Sequence, residues 1–108
     1  MTEMKFADDF YTLADCSHIT QLNLYNNSSD STHTLLNLPG KQASLKIFYA
    51  ISRNPEQHIS LSQAQRGLRL FGDYVAEEEA QPNSHPNIRL LLDIIQHKHV
   101  WVVTAVPA

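Results

Sequence analysis

Hydrophobic and polar positions recur with two different periods along the chain, and the change of period separates strands from helices. Ile19 to Tyr25 and Thr32 to Leu38 alternate with a period of two, which is typical of strands with one buried face. Asn26 to Asp30 favours a turn, because short polar side chains hydrogen-bond to nearby backbone. The pattern predicts a hairpin whose second strand ends near Leu38, since Pro39 has no backbone N–H to donate.

Helical spacing of apolar residues predicts two helices in the first half of the chain. Met4 to Ala14 has this spacing, with Thr2 in the N-cap position. Ser44 to Ser52 fits either a strand or a helix. A helix is preferred, because Ser44 can cap its start and Asn54-Pro55 can end it.

The second half begins with the clearest helical pattern in the sequence. Ser60 and Gln63 form a capping-box motif, and an apolar face then continues to Glu78 or Glu79. A further helix is predicted from about Ile88 to His97, followed by a β-branched strand. The predicted fold is α+β: a small antiparallel sheet of the hairpin plus the C-terminal strand, with amphipathic helices packed on one face.

Composition narrows the class of protein. With 108 residues, of which 43% are hydrophobic, one packed core and a single domain of residues 1–108 are expected. The net charge is −3 and the eight basic residues are dispersed, which argues against a nucleic-acid partner. Cys16 is the only cysteine, no apolar run approaches the ~20 residues that cross a bilayer, and the acidic N-terminal segment is unlike a secretory signal. The expected location is the cytoplasm, without membrane association.

One turn has the chemistry of an anion-binding site. Gly40 and Lys41 precede the helix predicted from Ser44, so free backbone N–H groups and an ammonium would meet there. The spacing differs from that of a phosphate-binding loop, because Leu35 and Gln42 stand where that motif requires a glycine and a hydroxyl residue. The alternative interpretation is a strand-to-helix turn with an exposed lysine.

The other reactive residue types favour structural roles. His97 and His99 lie two apart, but no cysteine pair or His-Glu-x-x-His motif completes a zinc site, so no metal and no cofactor are expected. Cys16 and His18 would form a thiolate–imidazolium pair only if the fold joined their side chains. Glu77 to Glu79 is a charge run of the kind that is usually solvated. No catalytic residues are identified, so a binding protein is favoured over an enzyme.

The C-terminal strand bears most directly on function. Both of its faces are apolar, because of Val100, Trp101, Val102 and Val103, and such a strand is normally covered on both sides. It either separates the two hairpin strands or is covered by a protein partner or a second copy. These four residues are therefore the predicted interface. Gly67, in the long helix, admits a close neighbour, which is either a partner or this protein's own core.

Two short segments, Gly40 to Lys46 (GKQASLK) and His85 to Ile88 (HPNI), resemble a family of small bacterial proteins of unknown function. The similarity extends from about Ile19 to Val103. It implies a compact bacterial cytosolic domain and transfers no catalytic residues. We therefore predict a non-catalytic protein-interaction or regulatory module, including self-association. The alternatives are a small-ligand or anion-binding protein that uses the Gly40-Lys41 turn and, third, an enzyme whose site is not visible in the sequence.

Overall fold

The structure, a computed structural model, describes residues 5–108. In chain order, its elements are a 3-10 helix (Asp8–Thr12), β1 (Ile19–Asn26), β2 (Ser31–Leu36), α1 (Gln42–Ile51), β3 (His58–Ile59), α2 (Leu61–Phe71), α3 (Tyr74–Ala80), α4 (Pro86–His97) and β4 (Trp101–Pro107). The strands form one antiparallel sheet in the order β2-β1-β4-β3. The α+β class, with helices against one face of an antiparallel sheet, is confirmed.

The core lies between the inner face of the sheet and the helices. Leu22 and Leu24 of β1 are buried there, because alternate residues of a strand share a face. Phe48 of α1, Leu70 of α2 and Leu91 of α4 are fully buried against the same centre. Burying a side chain of this size stabilises the folded state by about 1.5–3 kcal/mol.

The hairpin and the ambiguous segment form as predicted, with shifted ends. β1 and β2 pair in a register that places Leu22 opposite Leu35. The helix predicted over residues 44–52 is α1, and it begins two residues before Ser44 with Lys41 as its N-cap. The chain turns into the helix at Gly40, whose φ of 83° is a conformation that glycine adopts without strain.

β4 lies beside β1, on the side opposite β2, so it does not separate the hairpin strands. Its other side is covered in part by β3, which pairs with Trp101 and Val102. β3 was not predicted, because a strand of two residues is too short to show an alternating pattern. The C-terminal strand is therefore an inner strand of the sheet along part of its length.

The long helix predicted from Ser60 is two helices, α2 and α3, separated at Gly72 with φ 63° and ψ −127°. A Cβ at Gly72 would lie 2.5 Å from the Lys5 carbonyl oxygen and 2.9 Å from the Ala7 nitrogen. Two hydrogen bonds hold the N-terminal segment against this break, from Ala7 N–H to Leu70 O (3.1 Å) and from Asp73 N–H to Lys5 O (3.0 Å). The helix ends because the N-terminal segment crosses directly over a glycine.

Within α2, the predicted cap is confirmed. Ser60 and Gln63 form the capping box, and the Ser60 N–H donates to Gln63 Oε1 at 3.0 Å. A Cβ at Gly67 would lie 2.8 Å from Leu91 Cδ1 and 3.0 Å from Ile51 Cδ1. Gly67 therefore serves the packing of α2 against α4 and α1 within this chain.

The N-terminal helix is shorter and tighter than predicted. Within residues 5–14 the structure has only the 3-10 helix, while Thr2 and Met4, the predicted cap and first residue, lie outside the described residues. Phe10 anchors this helix in the core. Over residues 5–108, no helix combines the length and the apolar character needed to cross a bilayer.

Candidate interaction surface

The predicted interface residues lie on both faces of the C-terminal strand. Trp101 and Val103 point into the core and are 7% and 4% exposed. Val102, between them, points away from the helices and is 41% exposed, and Val100, just before β4, is 43% exposed. Two of the four residues thus hold the strand against the core, and two lie at the surface.

The surface of the sheet that faces away from the helices, here called the outer face, consists of cross-strand rows. Residues directly opposite each other on paired strands share a face, so the strand register defines each row. The first row is Leu36, Gln21 and Val106; the second is Thr34, Asn23 and Thr104; the third is Thr32, Tyr25, Val102 and His58. All of these side chains are exposed or half-buried. The described chain leaves this face uncovered.

The outer face contains no Asp, Glu, Lys or Arg, although these residues make up 18% of the chain. At that frequency roughly two charged residues would be expected among ten, and ordinary solvated surfaces are richer still. The apolar side chains are at the two ends, Leu36 and Val106 in the first row and Tyr25 and Val102 in the third. Depletion of charge around an exposed tyrosine is the composition of the centre of a protein–protein interface.

Side-chain hydrogen bonds fix the polar part of the outer face. Asn23 Oδ1 accepts a hydrogen bond from Gln21 Nε2 at 2.7 Å and one from the Thr34 hydroxyl at 3.3 Å. The Tyr25 hydroxyl donates to Asp30 Oδ1 at 2.7 Å, which raises the pKa of the phenol. Tyr25 therefore stays protonated at neutral pH, beside its cross-strand neighbour Val102. The surface is ordered before any partner arrives.

The two edges of the sheet differ. β2 is the outermost strand on one side, and its six residues contain no charge and no proline, the usual features that block pairing with another chain. On the other side, β3 covers only the beginning of β4, and the Gln57 carbonyl accepts the Val103 N–H at 2.8 Å. The outer face is therefore continuous with an edge that lacks protection against pairing.

The predicted anion-binding turn is separate from the outer face. Lys41 is the N-cap residue of α1, and its N–H donates to the Leu38 carbonyl at 2.9 Å. Gly40 and Lys41 are exposed, and no neighbouring atom lies within 4 Å of the position of a Cβ on Gly40. The turn is an open strand-to-helix connection, and its binding of an anion stays a prediction.

Cys16 and His18 do not pair. His18 Nε2 lies 3.1 Å from the Tyr49 hydroxyl, whereas the buried Cys16 thiol donates to the Ala14 carbonyl at 3.8 Å. Burial raises the pKa of the Cys16 thiol. The thiol is therefore protonated at neutral pH, and the thiolate needed for nucleophilic chemistry is scarce.

His97 and His99 do come together, with ring centroids 5.6 Å apart, and His99 Nδ1 lies 3.1 Å from Asn26 Nδ2. Two imidazoles are fewer ligands than a zinc site requires. Within the part of the chain that the structure describes, no group of three or more Cys, His, Asp or Glu side chains is placed to hold a metal ion. The histidine pair borders β1 and the end of α4.

The glutamate run has a structural role that the sequence did not reveal. Glu78 is fully buried and accepts hydrogen bonds from the N–H groups of Asn83 (2.8 Å) and His85 (2.6 Å) and from Arg89 Nε (2.8 Å). Burial by itself raises the pKa of Glu78, but these hydrogen bonds and the guanidinium charge outweigh it and hold the pKa below its ordinary value. Glu77 Oε1 lies 2.6 Å from His85 Nε2. Two of the donors are backbone N–H groups, which nearly every residue type supplies, so this site has no recognisable sequence motif.

Comparison with known proteins adds a family and no activity. A family model described as an uncharacterised protein conserved in bacteria (DUF2322) matches residues 6–105. The match includes the hairpin, the four α-helices and most of β4. No curated protein and no solved structure matches the chain.

Proposed function

The chain belongs to this family of uncharacterised bacterial proteins, and we propose that it is a non-catalytic protein-interaction module whose outer face binds a second copy of the same chain. The observation that carries the proposal is the outer face itself, which is open to solvent, ordered and without formal charge. The apolar side chains of this face are stabilised when another surface removes them from water, and the absence of formal charge keeps the desolvation cost of the remaining side chains low.

Charge favours a second copy over an unlike partner. The chain carries a net charge of −3, so two copies repel each other at long range unless they meet where charge is absent. The ten residues of the outer face carry no Asp, Glu, Lys or Arg, and the Asp30 carboxylate lies at its border, where it accepts the Tyr25 hydroxyl. Recognition of an unlike partner by opposite charge would instead require a charged patch on this surface, because complementary potentials steer and orient unlike proteins.

The arrangement of the rows is self-complementary. A two-fold axis along the second row would place the first row of one copy over the third row of the other, as an isologous dimer requires. Val106 would then meet Val102 of the second copy, and the polar second rows would meet each other. Leu36 would meet Thr32 and Gln21 would meet Tyr25, so the fully apolar contact lies at the two valines of β4, and the amide and hydroxyl groups of the second rows face hydrogen-bonding groups.

The area of the outer face sets the strength of this contact. Each outward residue occupies about 4.8 Å between strands and about 6.8 Å along a strand, so ten residues cover about 330 Å². Stable complexes bury about 800 Å² on each partner. The dimer is therefore expected to be weak and to form reversibly with increasing protein concentration.

Sedimentation velocity from about 10 µM to 1 mM protein, the range in which weak interfaces associate, tests the proposal. The wild type should shift from monomer to dimer, and Val102→Lys should remain a folded monomer, because the residue is 41% exposed. Leu61→Lys is the matched control, since Leu61 is 40% exposed on α2, and it should dimerise as the wild type does. Trp101→Lys should instead unfold the chain, because it would bury an unpaired ammonium.

Two results would overturn the proposal. The first is a wild type that sediments as a monomer at the highest concentration. The second is a folded Val102→Lys variant that dimerises as strongly as Leu61→Lys, which would place any interface away from the outer face. Circular dichroism on each variant separates loss of dimer from loss of fold.

A further inference from the structure

A cavity of about 520 Å³ lies between the 3-10 helix, the segment that leads into β1 and the first turns of α1. None of its lining residues belongs to the outer face. The volume is within the ~300–1,000 Å³ range of small-molecule sites in proteins. The cavity is thus a second candidate site, with chemistry of its own.

One wall of the cavity is aromatic and firmly packed. The rings of Phe6 and Phe10 stack with centroids 4.3 Å apart, and Tyr11 meets Phe10 edge to face at 5.1 Å. Phe6 also packs on Tyr74, at 4.8 Å, which ties the wall to α3. Phe10 is 9% exposed and Tyr11 is 68% exposed, so Tyr11 stands at the mouth. Such a wall favours a flat apolar group.

Lys46 supplies a positive charge at this wall. Its ammonium lies 5.8 Å from the centroid of the Phe10 ring, and the residue is half-buried in the lining of the cavity. Among residues 5–108, no carboxylate oxygen lies within 4.0 Å of the ammonium. An ammonium with no carboxylate oxygen in direct contact leaves a charge-assisted hydrogen bond for a ligand to make.

The remaining polar groups restrict the kind of anion. Asn37 is already engaged, because its Nδ2 donates to the carbonyls of Cys16 (3.1 Å) and Ile19 (2.8 Å). Asp15 also lines the cavity, and hydrogen bonds from Ser17 hold its pKa below the ordinary value, so it is ionised at neutral pH. A fixed negative charge in the same cavity opposes a doubly charged ligand more than a singly charged one.

We propose that this cavity binds a small monocarboxylic acid with a flat aromatic body, the carboxylate on the Lys46 ammonium and the ring against Phe6 and Phe10. At about 30 Å³ for each water-sized atom, 520 Å³ holds roughly 17 such atoms, which accommodates a substituted benzene ring with a short acidic side chain. The site is independent of the dimer proposed above, because the two surfaces share no residue.

Titration of the ¹⁵N-labelled full chain, followed by amide chemical shifts, tests the proposal with three probes: phenylacetate, its neutral analogue phenylacetamide, and inorganic phosphate. Phenylacetate should produce saturable shifts around Cys16, Ala43 and Lys46 and bind about tenfold more tightly than phenylacetamide, because only the acid pairs with the ammonium. Phosphate should bind more weakly than phenylacetate.

Lysine variants test which ammonium binds the carboxylate of the ligand. Lys46→Met should abolish the preference for the acid over the amide, whereas Lys46→Arg should retain it. Lys41→Met is the matched control, since Lys41 is the exposed lysine at the start of the same helix, and it should change neither affinity. The monomeric Val102→Lys variant should bind phenylacetate as the wild type does, which separates this test from that of the dimer.

Three outcomes would overturn the proposal. The absence of saturable shifts up to about 20 mM phenylacetate would show that the cavity does not bind it, since even a weak ligand of this size reaches millimolar affinity. Equal preference for the acid in wild type and Lys46→Met would show that the Lys46 ammonium does not bind the carboxylate. Loss of binding in Lys41→Met alone would move the anion to the Gly40-Lys41 turn.

Discussion

Replacement of Gly72 by alanine tests the reason why the long helical pattern breaks into two helices. The φ of 63° and ψ of −127° are disfavoured for any residue with a Cβ, at a cost of about 1–3 kcal/mol. The added Cβ would also lie 2.5 Å from the Lys5 oxygen and 2.9 Å from the Ala7 nitrogen, both backbone atoms with little freedom to move.

The expected loss in the free energy of unfolding follows from the contacts that the N-terminal segment would lose. If the N-terminal segment moves aside, the hydrogen bonds from Ala7 to Leu70 and from Asp73 to Lys5 are lost, at about 0.5–1.5 kcal/mol each. Alanine also lowers the conformational entropy of the unfolded chain, which stabilises the folded state by about 0.4–1 kcal/mol. The net expectation for Gly72→Ala is a loss of about 3 kcal/mol in the free energy of unfolding, or roughly 10–20 °C in melting temperature.

The matched control is Gly40→Ala. Gly40 also has a positive φ, 83°, but no neighbour within 4 Å of its Cβ position, so only the backbone conformation is penalised, by about 1–2 kcal/mol. Urea unfolding monitored by the fluorescence of Trp101, the single tryptophan, measures both variants. If Gly72→Ala is no less stable than Gly40→Ala, the close approach of the N-terminal segment does not terminate α2.

Two further predictions concern helix ends. Ser60→Ala should lower the free energy of unfolding by about 1 kcal/mol through loss of the capping box, and an unchanged urea midpoint would show that the cap is not stabilising. Glu78→Gln should lower the urea midpoint at pH 7, because the amide cannot replace a carboxylate that accepts from Arg89 and two backbone N–H groups. Because the folded-state pKa of Glu78 lies below its ordinary value of 4.5, its contribution is complete above that pH and is lost as the pH falls through the folded-state pKa. Stability curves of wild type and Glu78→Gln should therefore converge in acid; parallel curves would contradict the assignment.

Much of the candidate site was implicit in the strand pattern. Alternation in Ile19 to Tyr25 separates Gln21 and Asn23 from Leu22 and Leu24, and the structure places the first pair on the outer face and the second in the core. A strand that is apolar on both faces does not show which face is covered by its own chain. The sequence therefore indicated Val100 to Val103 as an interface, but not that Val102 lies at the surface and Trp101 in the core. The Lys46 cavity left no sequence signal, because its walls come from three separate segments.

The sequence by itself determined the α+β class, the hairpin, the capping box and the positions of α1 and α4, because each depends on residues within a few positions of one another. The tertiary structure alone decided the break at Gly72, the burial of Glu78, the position of β4 between β1 and β3, and the uncovered outer face. Each of these depends on a contact between distant segments, such as Lys5 over Gly72 or His58 beside Val102. Periodicity records which side of an element is apolar, whereas the partner of that side is selected by the packing of the whole chain.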